Sequence, residues 1–340
     1  MSLFFNPPPA PTPPLLSIII PAFNEARNLP LLSERLTPCL TAITEQFEVL
    51  IINDGSSDDT GAQIAALHLL DPRYCGLSFS RNFGKEIAIA AGLDHARGQA
   101  CVIIDADLQH PPETIAAFVE KWREGYAVVY GQRIDRSTDS AIRKTLSEWF
   151  YKLFAMAGET PLPQGAGDFR LLDRKAVQAL RAMGERARFS KGLYAWVGFR
   201  SIGVPFEVAE RAHGTSSFNL HRLFRFAFDG ITSFSTLPLK LWIYIGTLIS
   251  MLAFLTGSVY LARTLIYGVD VPGYASLIVS IMFFAGMQLL SLGIIGDYIG
   301  RIFAEVKRRP LYIIGERFGL EANPNDVTPP DFTRPPLTTE

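Results

Sequence analysis

Charge is missing from two long stretches of this chain: no Asp, Glu, Lys or Arg occurs between Lys240 and Arg263, nor between Asp270 and Asp297. Each gap exceeds the roughly 20 apolar residues that cross a bilayer, and soluble core helices seldom run so far uncharged. Two membrane helices are therefore expected. An excess of positive charge is also lacking, since the formal net charge is −1, and this argues against nucleic acid as the main partner. Cysteine is scarce. Cys39, Cys75 and Cys101 are odd in number and at no metal-type spacing, so they read as reduced thiols of a cytosolic domain rather than a disulfide framework. There is no Gly-x-x-x-x-Gly-Lys-Ser/Thr and no strand-borne Gly-x-Gly-x-x-Gly, which removes the P-loop and the dinucleotide fingerprint. The Pro-rich start, residues 1–15, has no positive n-region and no cleavage pattern; the expectation is a solvated lead-in without a signal peptide and a globular part left in the cytoplasm.

What is present from Leu16 onward is an alternation of short apolar runs with helical patterns, the signature of βαβ units around a parallel sheet. Strands are predicted at Ser17–Ile20, Phe47–Ile52, Leu77–Phe79, Cys101–Ile104 and Ala127–Tyr130. A helix is predicted over Ala26–Gln46, with Pro38 marking where a break would fall, another from Ser57–Thr60, and a third over Glu86–Arg97. In open parallel sheets ligands bind beyond the carboxyl ends of the strands. The polar clusters lie there: Pro21-Ala22-Phe23-Asn24-Glu25, Asn53-Asp54-Gly55-Ser56, Arg81-Asn82-Phe83-Gly84-Lys85-Glu86, and Asp105-Ala106-Asp107-Leu108-Gln109-His110. A nucleotide site is expected at that edge.

Asp105 and Asp107 follow the fourth strand directly. Residues i and i+2 of a strand point the same way, so both carboxylates would converge on one cation if the extended geometry persisted. Hard oxygen ligands suit Mg²⁺ or Mn²⁺, held by one or two carboxylates plus substrate phosphates. With no phosphate-binding glycine loop, a diphosphate must be neutralised by metal, which is the logic of a nucleotide-sugar transferase.

Pro21-Ala22-Phe23-Asn24-Glu25, Asn53-Asp54-Gly55-Ser56-Ser57-Asp58, Asp105-Ala106-Asp107-Leu108-Gln109 and Gly167-Asp168-Phe169-Arg170, in this order, resemble the family 2 glycosyltransferases of the GT-A fold. Within them the chain is similar to the polyprenyl-phosphate glycosyltransferases, from about Leu16 to Gly315. The resemblance implies an α/β, Rossmann-like, mostly parallel GT-A catalytic domain followed by an interfacial helix and a two-helix transmembrane hairpin. It assigns Asp105, Asp107 and Gln109 to metal and diphosphate, with Asp107 catalytic. Asp54 is assigned to the nucleotide base, while Pro21, Phe23 and Glu25 surround the nucleoside and Arg81 and Lys85 assist in donor binding. The family often has two acids before Gly-Ser; here the first is Asn53. Arg133, Arg143, Ser147 and Arg211 match positions that grip an acceptor phosphate, a task suited to an Arg fork. Asp168, after the flexible run Gly165-Ala166-Gly167, is implied to be an orienting or proton-handling carboxylate. Trp196-Val197-Gly198-Phe199 is expected to pack the core.

Residues 218–236 carry Leu220, Leu223, Phe224, Ala227, Phe228, Ile231 and Phe234 at helical spacing, with His221, Arg222 and Arg225 at one end, a pattern that suits an interfacial helix. The expected organisation is thus a lead-in over 1–15, a catalytic domain over 16–217, the interfacial helix over 218–237, two spans within 238–300 and a tail over 301–340. Lys240 precedes the first span, and Arg301, Lys307, Arg308 and Arg309 follow the second; the positive-inside rule then puts the catalytic domain and both termini in the cytoplasm. The resemblance implies a bacterial inner-membrane enzyme, a homo-oligomer, that moves a hexose with inversion from a nucleoside diphosphate sugar, UDP-glucose foremost, to undecaprenyl phosphate. GDP-mannose or another UDP-sugar would leave the chemistry unchanged. The alternative outside catalysis is a membrane-anchored regulatory subunit that binds nucleotide sugar. The Gln-x-x-Arg-Trp motif of processive polysaccharide synthases is lacking.

Overall fold

Four apolar runs between Leu16 and Ile103 become strands, β1 (Leu16–Ala22), β2 (Phe47–Asn53), β3 (Tyr74–Phe79) and β4 (Ala100–Ile103), and every residue in them is buried. Strands covered on both faces have no polar side to present, so they read as continuous apolar runs rather than alternating ones. The structure is a computed structural model that describes residues 14–133, 166–185, 190–207, 237–267, 273–322 and 326. The connecting helices are α1 (Asn28–Ile43), α2 (Thr60–Leu70) and α3 (Lys85–His95). They are followed by α4 (Thr114–Arg123) and β5 (Val128–Arg133). β6 (Ala166–Asp173), α5 (Arg174–Ala182), α6 (Ser190–Trp196) and β7 (Ser201–Phe206) come next.

One eight-stranded sheet runs β7-β5-β6-β4-β1-β2-β3, closed at its last edge by β8 (Ile314–Phe318). Pairings β1/β2, β1/β4, β2/β3 and β5/β7 are parallel; β4/β6, β5/β6 and β3/β8 are antiparallel. The strand order reverses between β1 and β4, and such a switch point opens a crevice beyond the carboxyl ends of the two strands. The loops after β1 and β4 carry Glu25 and the Asp105–Asp107 pair.

Pro38 does not break α1. Leu29, Leu32, Leu36 and Leu40 form one buried stripe across it. Burying each such side chain contributes about 1.5–3 kcal/mol, comparable with the roughly 3 kcal/mol a mid-helix proline costs. Helix α3 lies so close to β1 that a Cβ on Gly92 would fall 2.3 Å from Ile19 Cγ2. That approach seats the start of α3, and with it Lys85, at the sheet edge. α5 is capped by Asp173, whose carboxylate accepts from the Lys175 amide at 2.9 Å.

The strands and α1 to α6 form one compact unit, and two long helices, α7 (Leu237–Tyr267) and α8 (Tyr274–Val306), form a second. Within the second, Ser280–Val306 is the one stretch among the described residues long and apolar enough to cross a membrane, with Tyr244–Thr256 a shorter apolar run in α7. Exposed Leu, Ile, Met and Phe side chains cover both helices. The interfacial helix expected before them lies outside the described residues, apart from its last residue, Leu237.

Candidate active site

The loops after β1 and β2 are tied together by side chain to backbone bonds. Ser56 Oγ accepts from the Asn24 amide at 2.9 Å, and Asn24 Oδ1 accepts from the Ser57 amide at 2.9 Å. Thr60 Oγ1 accepts from the Glu25 amide at 3.0 Å, and Asp58 Oδ2 from the Ala26 amide at 3.2 Å. Asn24 adopts φ 59°, a left-handed conformation that Asn tolerates better than most residues. Phe23 stands exposed beside it. Pro21 differs from its expected place: it is buried inside β1 in register with Ile52, because the β1/β2 ladder runs one residue further to Ala22 and Asn53.

Asp54, expected to meet the nucleotide base, is only 3% exposed. Its carboxylate accepts from the backbone amides of Phe83 at 2.6 Å and Gly84 at 2.9 Å. Burial raises its pKa although both amides and Arg81 pull it down. The geometry therefore makes Asp54 a tether for the loop leading into α3. Gly55 permits that contact: at φ +64°, an added Cβ would lie 2.3 Å from the Arg81 carbonyl carbon.

The tethered loop delivers Lys85 to two acids. Its Nζ lies 2.7 Å from Asp105 Oδ1 and 3.0 Å from Asp168 Oδ2, with the lysine side chain 43% exposed. β4 and β6 are antiparallel neighbours whose ladder ends on β4 at Ile103, paired with Arg170, so Asp105 just past β4 and Asp168 in β6 come to the same end of the sheet. Desolvation opposes the ammonium, but Asp168 and Asp105 outweigh it and hold Lys85 protonated. Asp168 is pulled the other way: burial disfavours its charge, yet Lys85, then Lys191 and Arg170, keep it well below the usual carboxylate range. Its Oδ1 has no hydrogen-bond partner among the described residues.

Around this ion cluster lie groups that the sequence reading left without roles. Glu86 accepts from the Ser190 amide at 3.3 Å and from the Ser190 hydroxyl, joining α3 to α6, and burial together with Asp168 raises its pKa. Arg170 is buried, with its guanidinium 3.7 Å from the Tyr194 ring centroid. His110 stacks on Phe169 at 4.9 Å, and burial lowers its pKa. The available signal was adjacency: Glu86, His110 and Arg170 directly follow or close the motifs read above. Trp196 corrects an expectation, being 59% exposed; α6 buries Ser190, Gly192, Leu193 and Tyr194, and two residues beyond Tyr194 the helix has turned Trp196 off that face.

Asp105 and Asp107 do not converge by strand geometry, because β4 stops at Ile103 and the chain turns, with buried Leu108 at φ 61°. Gln109 donates its amide to Asp107 Oδ1 at 3.2 Å. Among the described residues no group of three or more His, Cys, Asp or Glu is arranged to hold a metal. The donor set still fits a cation completed by substrate. Glu25 has a raised pKa, through burial first and then through the negative charge of Asp107, Asp105 and Asp58, so acids crowd this crevice, and Mg²⁺-type sites need only one or two carboxylates beside phosphate oxygens. Arg133 ends β5 in register with Phe206. Arg143, Ser147 and Arg211 lie outside the described residues. The three cysteines are free, and burial pushes the Cys101 thiol up to about 12.

With this geometry in hand, comparison with known proteins gives two family matches: glycosyl transferase family 2 over residues 17–181 and the GtrB C-terminal hairpin over residues 237–302. An uncharacterized glycosyltransferase of Synechocystis is 47% identical over 91% of this chain and 97% of that protein. A prophage-derived bactoprenol glucosyl transferase of Shigella flexneri is 44% identical over 88% of this chain and 97% of that protein. A solved mannosyltransferase from Pyrobaculum calidifontis, in complex with GDP-Man and Mn²⁺, is 19% identical, covers 86% of this chain and 88% of that chain, and has a TM-score of 0.43. The chain belongs to the family 2 glycosyltransferases, with a GtrB-type hairpin at its C-terminal end.

Proposed function

We propose that this glycosyltransferase moves glucose from a nucleoside diphosphate sugar, UDP-glucose foremost, to a polyprenyl phosphate of the undecaprenyl class. The observation that carries the reading is 44% identity, along 88% of the chain, to a protein named for bactoprenol glucosyl transfer. The crevice between β1 and β4 supports it with acids for a cation and cations for phosphate. Asp105 and Asp107, with Gln109 beside them, would hold Mg²⁺ or Mn²⁺, which when bound would neutralise charge on the departing diphosphate.

The chain's own residues divide the remaining work. Phe23 and Glu25 border the nucleoside, and Arg81 meets the diphosphate. Lys85 acts as a fixed positive charge rather than a base, since two carboxylates keep it protonated. Asp168 stays ionised, which favours orienting a substrate hydroxyl or cation over accepting a proton at neutral pH. No general base is needed, because an acceptor phosphomonoester carries about −1.5 to −2 charge at pH 7. Arg133, with Arg143, Ser147 and Arg211, would grip that phosphate while its oxygen attacks the anomeric carbon, inverting it. In this reading the GtrB-type hairpin anchors the protein to the inner membrane, with the catalytic domain and both termini cytoplasmic and the hairpins assembling a homo-oligomer.

The test is transfer of labelled sugar from UDP- and GDP-sugars to undecaprenyl phosphate by detergent-purified protein, with and without Mg²⁺ or Mn²⁺. Cation-dependent label in the lipid from UDP-glucose is expected. Label from GDP-mannose alone would replace the donor, and nucleotide binding without any transfer would favour the regulatory-subunit reading.

A further inference from the structure

Arg81 and Tyr312 are separated in sequence by both long helices, yet they are the two ends of one aromatic column. The Tyr312 ring stacks on Phe79, centroids 5.1 Å apart and planes inclined by 19°. Phe79 meets Phe83 edge to face at 5.6 Å and 87°. The Arg81 guanidinium carbon sits 4.1 Å from the Phe83 ring centroid. A cation over an aromatic face is drawn to the ring's negative quadrupole, so Phe83, together with the Asn82 carbonyl that accepts from Arg81 Nη1 at 3.0 Å, sets the direction of Arg81, and that ring rests on Phe79.

The far end of the column is held more firmly than ring packing requires. Tyr312 Oη donates to Asp94 Oδ2 on α3 at 3.1 Å, and Arg181 Nε lies 3.5 Å from the same carboxylate. The Ile313 carbonyl accepts from the Ser80 amide at 3.0 Å, and β8 then pairs with β3 from Phe79 to Gly76. Beyond β8, Asp326 lies 2.9 Å from His95 Nε2 and 2.8 Å from Arg317 Nη2. Hydroxyl, main chain and tail are each fixed to α3 or β3. The Tyr312 ring itself stacks on Phe79, with the His95 ring tilted 6.4 Å away.

We propose that Tyr312 is a positioning residue for donor binding: through Phe79 and Phe83 it holds the Arg81 guanidinium where it meets the donor's diphosphate. The inference rests on the reading of Arg81 given above. It makes the segment after the hairpin part of the donor site. A guanidinium recognises phosphate oxygens through a directed fork of donors, so losing its direction weakens diphosphate recognition and leaves the nucleoside contacts intact. Loosening of the whole fold would instead weaken both.

The experiment is calorimetric binding of UDP and of uridine, with GDP and guanosine beside them, to full-length protein in detergent. Wild-type protein should bind UDP more tightly than uridine. Tyr312→Ala should weaken UDP by about fivefold, the scale of a cation over an exposed ring, and leave uridine unchanged. Tyr312→Phe keeps the stack and should stay within about twofold of wild type. Adding Tyr312→Ala to Arg81→Ala should cost nothing further. Unchanged UDP affinity in Tyr312→Ala, or equal loss of UDP and uridine, overturns the proposal. Should that variant fail to fold, Phe83→Leu removes the face under Arg81 while keeping apolar volume, and wild-type UDP affinity there overturns it equally. If the wild-type protein binds neither diphosphate, the donor reading itself fails, and the column loses its role with it.

Discussion

Two acids, one buried and one partly exposed, leave the same edge of the sheet and meet opposite kinds of partner. After β2, Asp54 is bound by the amides of Phe83 and Gly84. After β4, Asp105 is bound by the ammonium of Lys85, which it shares with Asp168. An amide belongs to the backbone, so Asp54 cannot release its partners without dismantling the loop. An ammonium on a flexible, half-exposed stem can move, and such a pair is worth about 0–1 kcal/mol. The first acid ties a loop and the second is held by a partner that can move aside, which suits the proposed uptake of a cation and a diphosphate.

The largest effect that sharpens this contrast belongs to the β4 exit. Asp107→Asn removes one of the two proposed cation ligands and should lower kcat by about 100-fold or more, the scale of losing a group that stabilises developing charge. The protein should remain folded, read as an elution volume on size-exclusion chromatography in detergent equal to that of wild type. Full activity would break the assignment.

On the β2 side the expected loss is of stability. Gly55→Ala places a methyl 2.3 Å from the Arg81 carbonyl carbon in a left-handed backbone, and should destabilise by more than about 1 kcal/mol, read as a fall in unfolding temperature. Donor KM should rise with it, because the displaced loop carries Arg81 and Lys85. An unchanged unfolding temperature would show that the two loops are not in contact.

The smallest effect concerns Glu86. Its folded pKa is raised, through burial and then Asp168, so the folded state binds its proton more tightly than the unfolded chain does. Its contribution is fully present below the unfolded value of about 4.5 and is lost as pH rises through the folded pKa. Glu86→Gln keeps an acceptor for Ser190 and removes the titration. Unfolding temperatures measured from pH 5 to 8 should therefore fall less with rising pH in the variant than in wild type. Parallel profiles would mean that Glu86 titrates alike in both states.

Much of this architecture was legible because β1 to β4 are apolar runs closed by polar loops, and the crevice follows from their order. β6 was not read as a strand, since Asp168 and Arg170 interrupt its apolar character; Asp168 meets Lys85 and Arg170 lies over the Tyr194 ring, tertiary partners that no local pattern displays. β8, with Glu316 and Arg317 among its five residues, is an edge strand whose pairing with β3 depends on the chain's return after α8. The Asp105–Asp107 pair was found for a reason the backbone does not support, because β4 ends at Ile103 and the chain is already turning at 106 and 107. Lys85 was read as assisting donor binding, without its partners; these come from the loop after β4 and from β6, strands that neighbour one another although they are distant in sequence.

The most direct test of the contrast is a parallel measurement of kcat and unfolding temperature for Asp105→Asn and Asp54→Asn. Asp105→Asn should lose about 100-fold or more in kcat with an unfolding temperature close to wild type. Asp54→Asn, whose NH2 replaces one of the two acceptor oxygens and leaves a backbone amide of Phe83 or Gly84 unpaired, should lose about 1–3 kcal/mol of stability and unfold at lower temperature, with the smaller loss in kcat. The reverse pattern, a stable but inactive Asp54→Asn beside an unstable but active Asp105→Asn, would contradict the account.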